Sequence, residues 1–157
     1  VSFNEIDHID LAIDGADEVN RDLDLIKGGG GALLREKIIA KAAKTFIVVA
    51  DPQKVVSKLG SFPLPVEVVP FGFEMTMKQI SELGGSPKLR KNNGIPFITD
   101  NGNYIIDCSF LEIKFPEDLE KDINMIPGVV DNGLFIEMAH TVITLDGDKK
   151  ITINERG

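Results

Sequence analysis

Four consecutive glycines, Gly28 to Gly31, separate an acidic segment from an apolar one. They favour neither a helix nor a strand, since each costs roughly 0.5–1 kcal/mol relative to alanine inside a regular element. A chain keeps such a run where its backbone must approach something closely. The surrounding stretch, Asp14 to Glu36, reads DGADEVNRDLDLIKGGGGALLRE. It sets Asp14 and Asp17 three residues apart, Lys27 directly before the glycines and Glu36 shortly after them. Carboxylates beside a lysine and open backbone suit proton transfers next to a developing negative charge.

Hydrophobic patterning places these residues. Ile9, Leu11 and Ile13 alternate with Asp10 and Ala12, which predicts a strand. Asp14 then lies just past a strand's C-terminal end, where open α/β sheets hold their ligands. Asp17 either reaches the same small volume or caps a short segment beginning at Ala16. Asp22 and Asp24 are expected on the solvated side of a loop or short strand. Residues 32–43 predict a helix with Leu34, Ile38 and Ala42 as its core face. The glycines thus lead into a helix N-terminus, whose free N–H groups attract anions. Leucines at 33 and 34 rule out a dinucleotide fingerprint, and no Gly-Lys-Ser/Thr follows to make a P-loop.

Glu36 shares a helix face with Ala32, Ala40 and Ala43 and has no ion-pair partner at i+3 or i+4. It is either a surface carboxylate or one looking into a cavity that the glycines open. Lys37, Lys41 and Lys44 are expected to form a solvated basic stripe. The apolar run Thr45–Ala50 reads as a buried parallel strand. Asp51-Pro52 ends it, so Lys54 falls on the same sheet edge as Asp14. A βαβ unit of this kind draws Asp14, Asp17, Lys27, Glu36 and Lys54 toward one crevice.

After Phe62-Pro63-Leu64-Pro65, read as a linker, the pattern changes. A strand (Val66–Val69), a helix (Phe73–Leu83), a short strand (Lys88–Arg90) and two strands flanking Asn101-Gly102 follow. A helix (Pro116–Met125) and a strand from Gly128 complete the series, which with the Asn101-Gly102 hairpin counted as one strand position has the order β-α-β-β-α-β and suggests a ferredoxin-like unit. Leu134-Phe135, Thr141–Leu145, a turn at Asp146–Asp148 and a strand at Lys150–Ile153 are expected to return to the first sheet. The expected class is α/β: a Rossmann-like parallel-sheet domain, incomplete, with an inserted small ferredoxin-like α+β domain. The first would take residues 1–62 and 132–157, the second 63–131. His8 and His140 read as structural.

The chain has 157 residues and a net charge of −8, and only 6% of its residues are aromatic, a balance that does not suit nucleic acid. No apolar run nears the ~20 residues needed to span a bilayer. The single cysteine, Cys108, excludes an internal disulfide framework, fits a reducing cytosol and reads as a buried small hydrophobe.

The blocks DGADE (Asp14–Glu18), IKGGGGALLREK (Ile26–Lys37), VADPQK ending at Lys54, FPLPVEV (Phe62–Val68), TDNGN (Thr99–Asn103) and IPGVVDNGLF (Ile126–Phe135) resemble type A ribose-5-phosphate isomerase. The likeness runs through the whole chain, with the blocks in the same order. It implies interconversion of ribose 5-phosphate and ribulose 5-phosphate through an enediol(ate), in the non-oxidative branch of the pentose phosphate pathway. It implies no metal and no cofactor, a cytoplasmic setting and a homo-oligomer, dimer or tetramer. By resemblance Glu36 is the general base between C2 and C1. Asp14 handles hydroxyl protons, Asp17 supports it, and Lys27 stabilises the enediolate oxygen. Gly15, Ala16, Gly28, Gly29, Gly30 and Lys54 join Asp14, Asp17 and Lys27 in binding substrate.

The family carries a Gly/Ser/Thr-rich phosphate loop ahead of the DGAD block, and nothing between Val1 and Ile13 resembles it. The expectation is therefore a chain truncated at its N-terminus, with the proton-transfer residues present and most of the phosphate grip missing. Alternatives are a deaminase or lactonase acting on phosphorylated sugars, a non-catalytic sugar-phosphate sensor, or a Mg²⁺ site on Asp14, Asp17 and Glu18.

Overall fold

The computed structural model describes residues 2–145, 147–148 and 150–157. In chain order it contains β1 (Ile9–Asp14), β2 (Glu18–Val19), β3 (Leu25–Ile26), α1 (Leu33–Ala42), β4 (Ala43–Ala50), β5 (Leu64–Val68) and α2 (Phe73–Glu82). These are followed by β6 (Ser86–Leu89), β7 (Lys91–Asn92), β8 (Ile95–Pro96), β9 (Tyr104–Ser109), α3 (Pro116–Asn124), β10 (Val129–Asn132), β11 (Leu134–Phe135), β12 (Thr141–Leu145) and β13 (Ile151–Glu155). Asp146, the first residue of the expected turn, lies outside the described residues. Among the described residues no helix is long and apolar enough to cross a membrane.

The first sheet has the order β1-β4-β12-β13. β1, β4 and β12 run parallel, and β13 closes the edge antiparallel. One face is packed: Ala12, Phe46, Val48, Ala50 and Val142 join Ala40 of α1 and Phe135 in a single core cluster. The other face exposes Leu11, Ile13, Val49, Leu145, Ile151 and Ile153. This corrects the expectation of a fully buried β4, which alternates because only one side is clad. Helix α1 passes into β4 without an intervening residue, the Ala43 N–H closing the helix on the Ile39 carbonyl.

The second sheet is antiparallel, β10-β5-β9-β6, with α2 and α3 against one face. That strand order is ferredoxin-like, as expected from the β-α-β-β-α-β sequence. The segment Phe62–Pro65 is not a linker: β5 already begins at Leu64, and both Leu64 and Pro65 are buried. Pro65 survives in a central strand because it sits at the end of the ladder, where its carbonyl takes the Gly133 N–H at 2.8 Å. The Asn101-Gly102 turn forms, but the residues before it pair mainly with β7, through a second turn at Asn93-Gly94. A small sheet β11-β3-β2 joins the β1–α1 connection to the segment between β10 and β12. There Leu134-Phe135 pairs with Leu25-Ile26 instead of rejoining the parallel sheet.

Three surface expectations are reversed. The inner face of α1 carries Leu33 and Ala40, while Ile38 and Ile39 are exposed. Lys37 is not solvated: its Nζ donates to Asp131 at 2.6 Å and to the Asn132 carbonyl at 2.7 Å. Asp24 is buried, accepting from the Glu137 N–H and from Arg156. His140 is structural as expected, its Nδ1 taking the Phe46 N–H at 3.1 Å.

Cys108 lies fully buried in the second core, and burial pushes its thiol from 9.0 up to about 12. Only the thiolate reacts with alkylating reagents. Iodoacetamide at about pH 8 is therefore expected to leave the native chain unmodified and to label the guanidinium-unfolded chain fully, as read by intact mass.

Candidate active site

β1 ends at Asp14, whose Cα pairs with Val48 in the neighbouring strand. The carboxylate turns back on its own loop. Its Oδ1 accepts the Gly15 N–H at 2.8 Å and its Oδ2 accepts from Lys27 Nζ at 2.9 Å. Lys27 leaves β3 with its N–H fixed to the Gly133 carbonyl. Its side chain is 4% exposed, and Nζ also donates to the Gly15 carbonyl at 2.5 Å. The Lys27 ammonium lies 5.6 Å from the centre of the Phe135 ring. A buried cation needs such partners, because desolvating it alone costs several kcal/mol.

Glu36, on the first turns of α1, brings Oε2 to 3.3 Å from the same Nζ. The approach is out of line for a hydrogen bond, and Oε2 is buried with no hydrogen-bond partner among the described residues. Of the two readings of Glu36, the structure takes the inward one. Asp17 does not cap the Ala16 segment. Its Oδ2 accepts the Gly29 N–H at 2.8 Å and ties the acidic loop to the glycine turn. Lys54 follows β4 in a short 3-10 helix, Pro52–Lys54, and stands exposed at the rim.

A crevice of about 180 Å³ is lined by Asp14, Gly15, Ala16, Asp17, Lys27, Gly28, Gly29, Gly30, Glu36 and Lys54. All the residues expected to act together are thus brought together. A larger hollow of about 590 Å³ lies between residues 21–24, the start of α3 and the 155–157 segment. The Arg156–Asp24 ion pair lies at its wall, and none of the crevice residues reaches it. The Mg²⁺ alternative fails on Glu18, which is buried away from the crevice and accepts the N–H groups of Gly60 and Phe62. Among the described residues no cluster of three or more potential metal ligands occurs.

Sequence reading missed Arg90, Asp107 and Gly133. Arg90 follows β6, yet its NH1 donates to the carbonyls of Gly28 at 3.1 Å and Gly29 at 3.0 Å. Asp107 on β9 grips the same guanidinium through Nε and NH2. No local signal could reveal the role of Arg90, since its contacts with the glycines cross some sixty residues of chain.

The four glycines are not equivalent. Gly28 and Gly31 have φ of +104° and +87°, a region that side chains disfavour. A Cβ on Gly31 would also meet the Phe97 ring at 2.5 Å, whereas one on Gly30 would meet nothing within 4 Å.

The family model for ribose 5-phosphate isomerase A (phosphoriboisomerase A) matches residues 1–149. The ribose-5-phosphate isomerase A of Bacillus mycoides is 56% identical over 144 residues, 91% of this chain and 65% of the relative. Ribose-5-phosphate isomerase A 1 of Oceanobacillus iheyensis is 53% identical over 146 residues, 93% of this chain and 65% of the relative. The chain thus spans about 65% of the length of these two curated relatives. Among solved structures, a D-ribose-5-phosphate isomerase in complex with phospho-erythronic acid superposes with a TM-score of 0.94 at 43% identity, over 99% of this chain and 69% of that one. The ribose 5 phosphate isomerase A of Neisseria gonorrhoeae gives 0.92 at 42% identity, over 100% and 69%.

Gly31→Ala is expected to lower stability by about 2–4 kcal/mol, left-handed strain adding to overpacking. Gly30→Ala should change it by less than about 1 kcal/mol. Denaturant unfolding of the two variants beside the unaltered chain checks the contrast.

Proposed function

The chain belongs to the ribose 5-phosphate isomerase A family, and from that premise we propose that its crevice interconverts ribose 5-phosphate and ribulose 5-phosphate through an enediolate. The observation that supports this most directly is the state of Glu36. Its Oε2 is buried, held 3.3 Å from an ammonium, and committed to no hydrogen bond. The side chain as a whole is 26% exposed and lines the crevice, so its carboxylate stands open to a proton on a bound substrate.

In the reaction the open-chain aldose lies along the glycine turn. Glu36 takes the proton from C2, and the electron pair left behind moves into the C1 carbonyl, giving the enediolate. The Lys27 ammonium sits where the oxygen gains charge, and it stabilises the enediolate more than the neutral carbonyl, which is what lowers the barrier. Lys27 has three donors, two of them used by Asp14 and Gly15. The third remains for the substrate. Asp14 passes the hydroxyl proton between O2 and O1, and Glu36 then returns its proton to C1 to give the ketose. Asp17 keeps the glycine wall in place through Gly29. Lys54 at the rim meets the phosphate end.

The phospho-erythronic acid held by the solved relative is a phosphorylated sugar acid. Its carboxylate carries the charge that an enediolate would place beside the lysine. The same reading takes with it a homo-oligomer in the cytoplasm, to which the single reduced cysteine is suited.

Glu36→Gln keeps the shape of the side chain and removes its basicity. It is expected to lower kcat for ribose 5-phosphate by about 10³-fold and to leave the affinity for a phosphorylated sugar acid within about threefold. Turnover is followed by ketose formation and binding by calorimetry. Retention of more than a tenth of kcat would overturn the assignment. Unchanged binding by a wild-type chain that shows no turnover would favour a sensor.

A further inference from the structure

We propose that Arg90, clamped by Asp107, is a positioning residue that locks the glycine turn with its amide side facing the crevice. The proposal rests on the isomerase reading of that crevice.

The NH1 of Arg90 donates to two successive carbonyls, those of Gly28 and Gly29. The guanidinium has little freedom to do otherwise. Asp107 holds it through Nε and NH2, and the Phe97 ring lies 5.7 Å from its Cζ. The backbone of Arg90 is fixed as well, its N–H donating to the Ile105 carbonyl and its carbonyl accepting from the Phe97 N–H. Only the planar fork of arginine can take a carboxylate on one edge and two carbonyls on another.

All described peptide bonds are trans. In a trans peptide the carbonyl and the following N–H point in opposite directions. With the Gly28 carbonyl turned to Arg90, the Gly29 N–H points the other way, and it meets Asp17 in the crevice wall at 2.8 Å. With the Gly29 carbonyl turned to Arg90, the Gly30 N–H likewise faces away from it, and no partner for it occurs among the described residues. Gly30 lines the crevice. That N–H is a donor kept for a ligand oxygen.

Between two glycines nothing in the side chains resists a flip of the connecting peptide, because both signs of φ are open to them. A flip at Gly29–Gly30 would replace the N–H in the crevice by a carbonyl. The negative end of its dipole would then oppose the enediolate that Lys27 stabilises. Arg90 holds the peptide against this from outside the crevice, touching neither substrate nor Lys27.

Three variants of the chain test the clamp: Arg90→Gln, Arg90→Lys and Asp107→Asn. The readouts are kcat and KM for ribose 5-phosphate, the melting temperature, and the NMR amide signals of Gly29 and Gly30. Arg90→Gln is expected to lower kcat about 10- to 100-fold, to change KM less than about threefold, and to broaden or shift both amide signals. Arg90→Lys should recover part of kcat, and Asp107→Asn should fall between the two. Values of kcat within about twofold of wild type with unchanged amide signals would overturn the proposal. So would a loss of kcat that tracks the melting temperature and disappears on cooling, since that is a folding effect. A wild-type chain without turnover would fail the isomerase reading instead. The amide signals of Arg90→Gln then decide the clamp by themselves, changed signals supporting it and unchanged ones overturning it.

Discussion

The ammonium of Lys27 is the charge around which the molecule closes. It is almost wholly removed from water, and everything within reach of it is fixed by a different part of the chain. Asp14 comes from the end of β1, the Gly15 carbonyl from the loop after it, Glu36 from α1, and Phe135 from β11. A buried cation flanked by two carboxylates is stable only while that geometry holds, because losing a partner leaves charge uncompensated. The cluster ties the end of β1, the first turns of α1 and the β3–β11 pair to one another. The same arrangement leaves one carboxylate oxygen of Glu36 paired with the lysine by charge alone, with no hydrogen bond to it among the described residues.

The antiparallel sheet is therefore more than an appendage. Its Pro65 ring touches the ground that Gly28 and Gly133 occupy, and its Arg90 reaches over the glycine carbonyls. A second link runs through the buried Glu67, whose Oε1 gathers Thr99, Asn101 and Asn103. Asn101 in turn accepts from Arg35, the neighbour of Glu36 on α1. The helix that carries the inward carboxylate is thus held from the parallel sheet below and from the antiparallel sheet beside it. Rigid support of this kind is what the proposed proton transfer calls for.

What the sequence disclosed, and what it hid, follow from the range of the interactions. Asp14, Lys27, Glu36 and Lys54 could be gathered from local pattern alone, since strand ends and a glycine-led helix put them on one edge whatever the rest does. The facing of α1 could not. Ile38 looks like core and Lys37 like surface until Asp131 and the Asn132 carbonyl, over ninety residues on, draw the lysine inward. Asp24 was misread for the same reason, its arginine being Arg156. Pro65 suggested a linker because proline removes a ladder donor, and only the position of Gly133 shows that no donor was needed there. The strand order of the second sheet was legible because its βαββαβ alternation leaves few topologies open.

The seam between α1 and β4 has a consequence for how such a chain can vary. Ala42 closes the helix and Ala43 opens the strand, so no slack residue separates them. One residue added there would either turn the helix by about 100° or slide the strand by one place, which exchanges its two faces. The first swings Glu36 off the lysine; the second puts Phe46 and Val48 into water. The span from Glu36 to Lys54 behaves as a gauge block of fixed length, and changes in chain length are tolerable only in stretches that the crevice does not measure itself against.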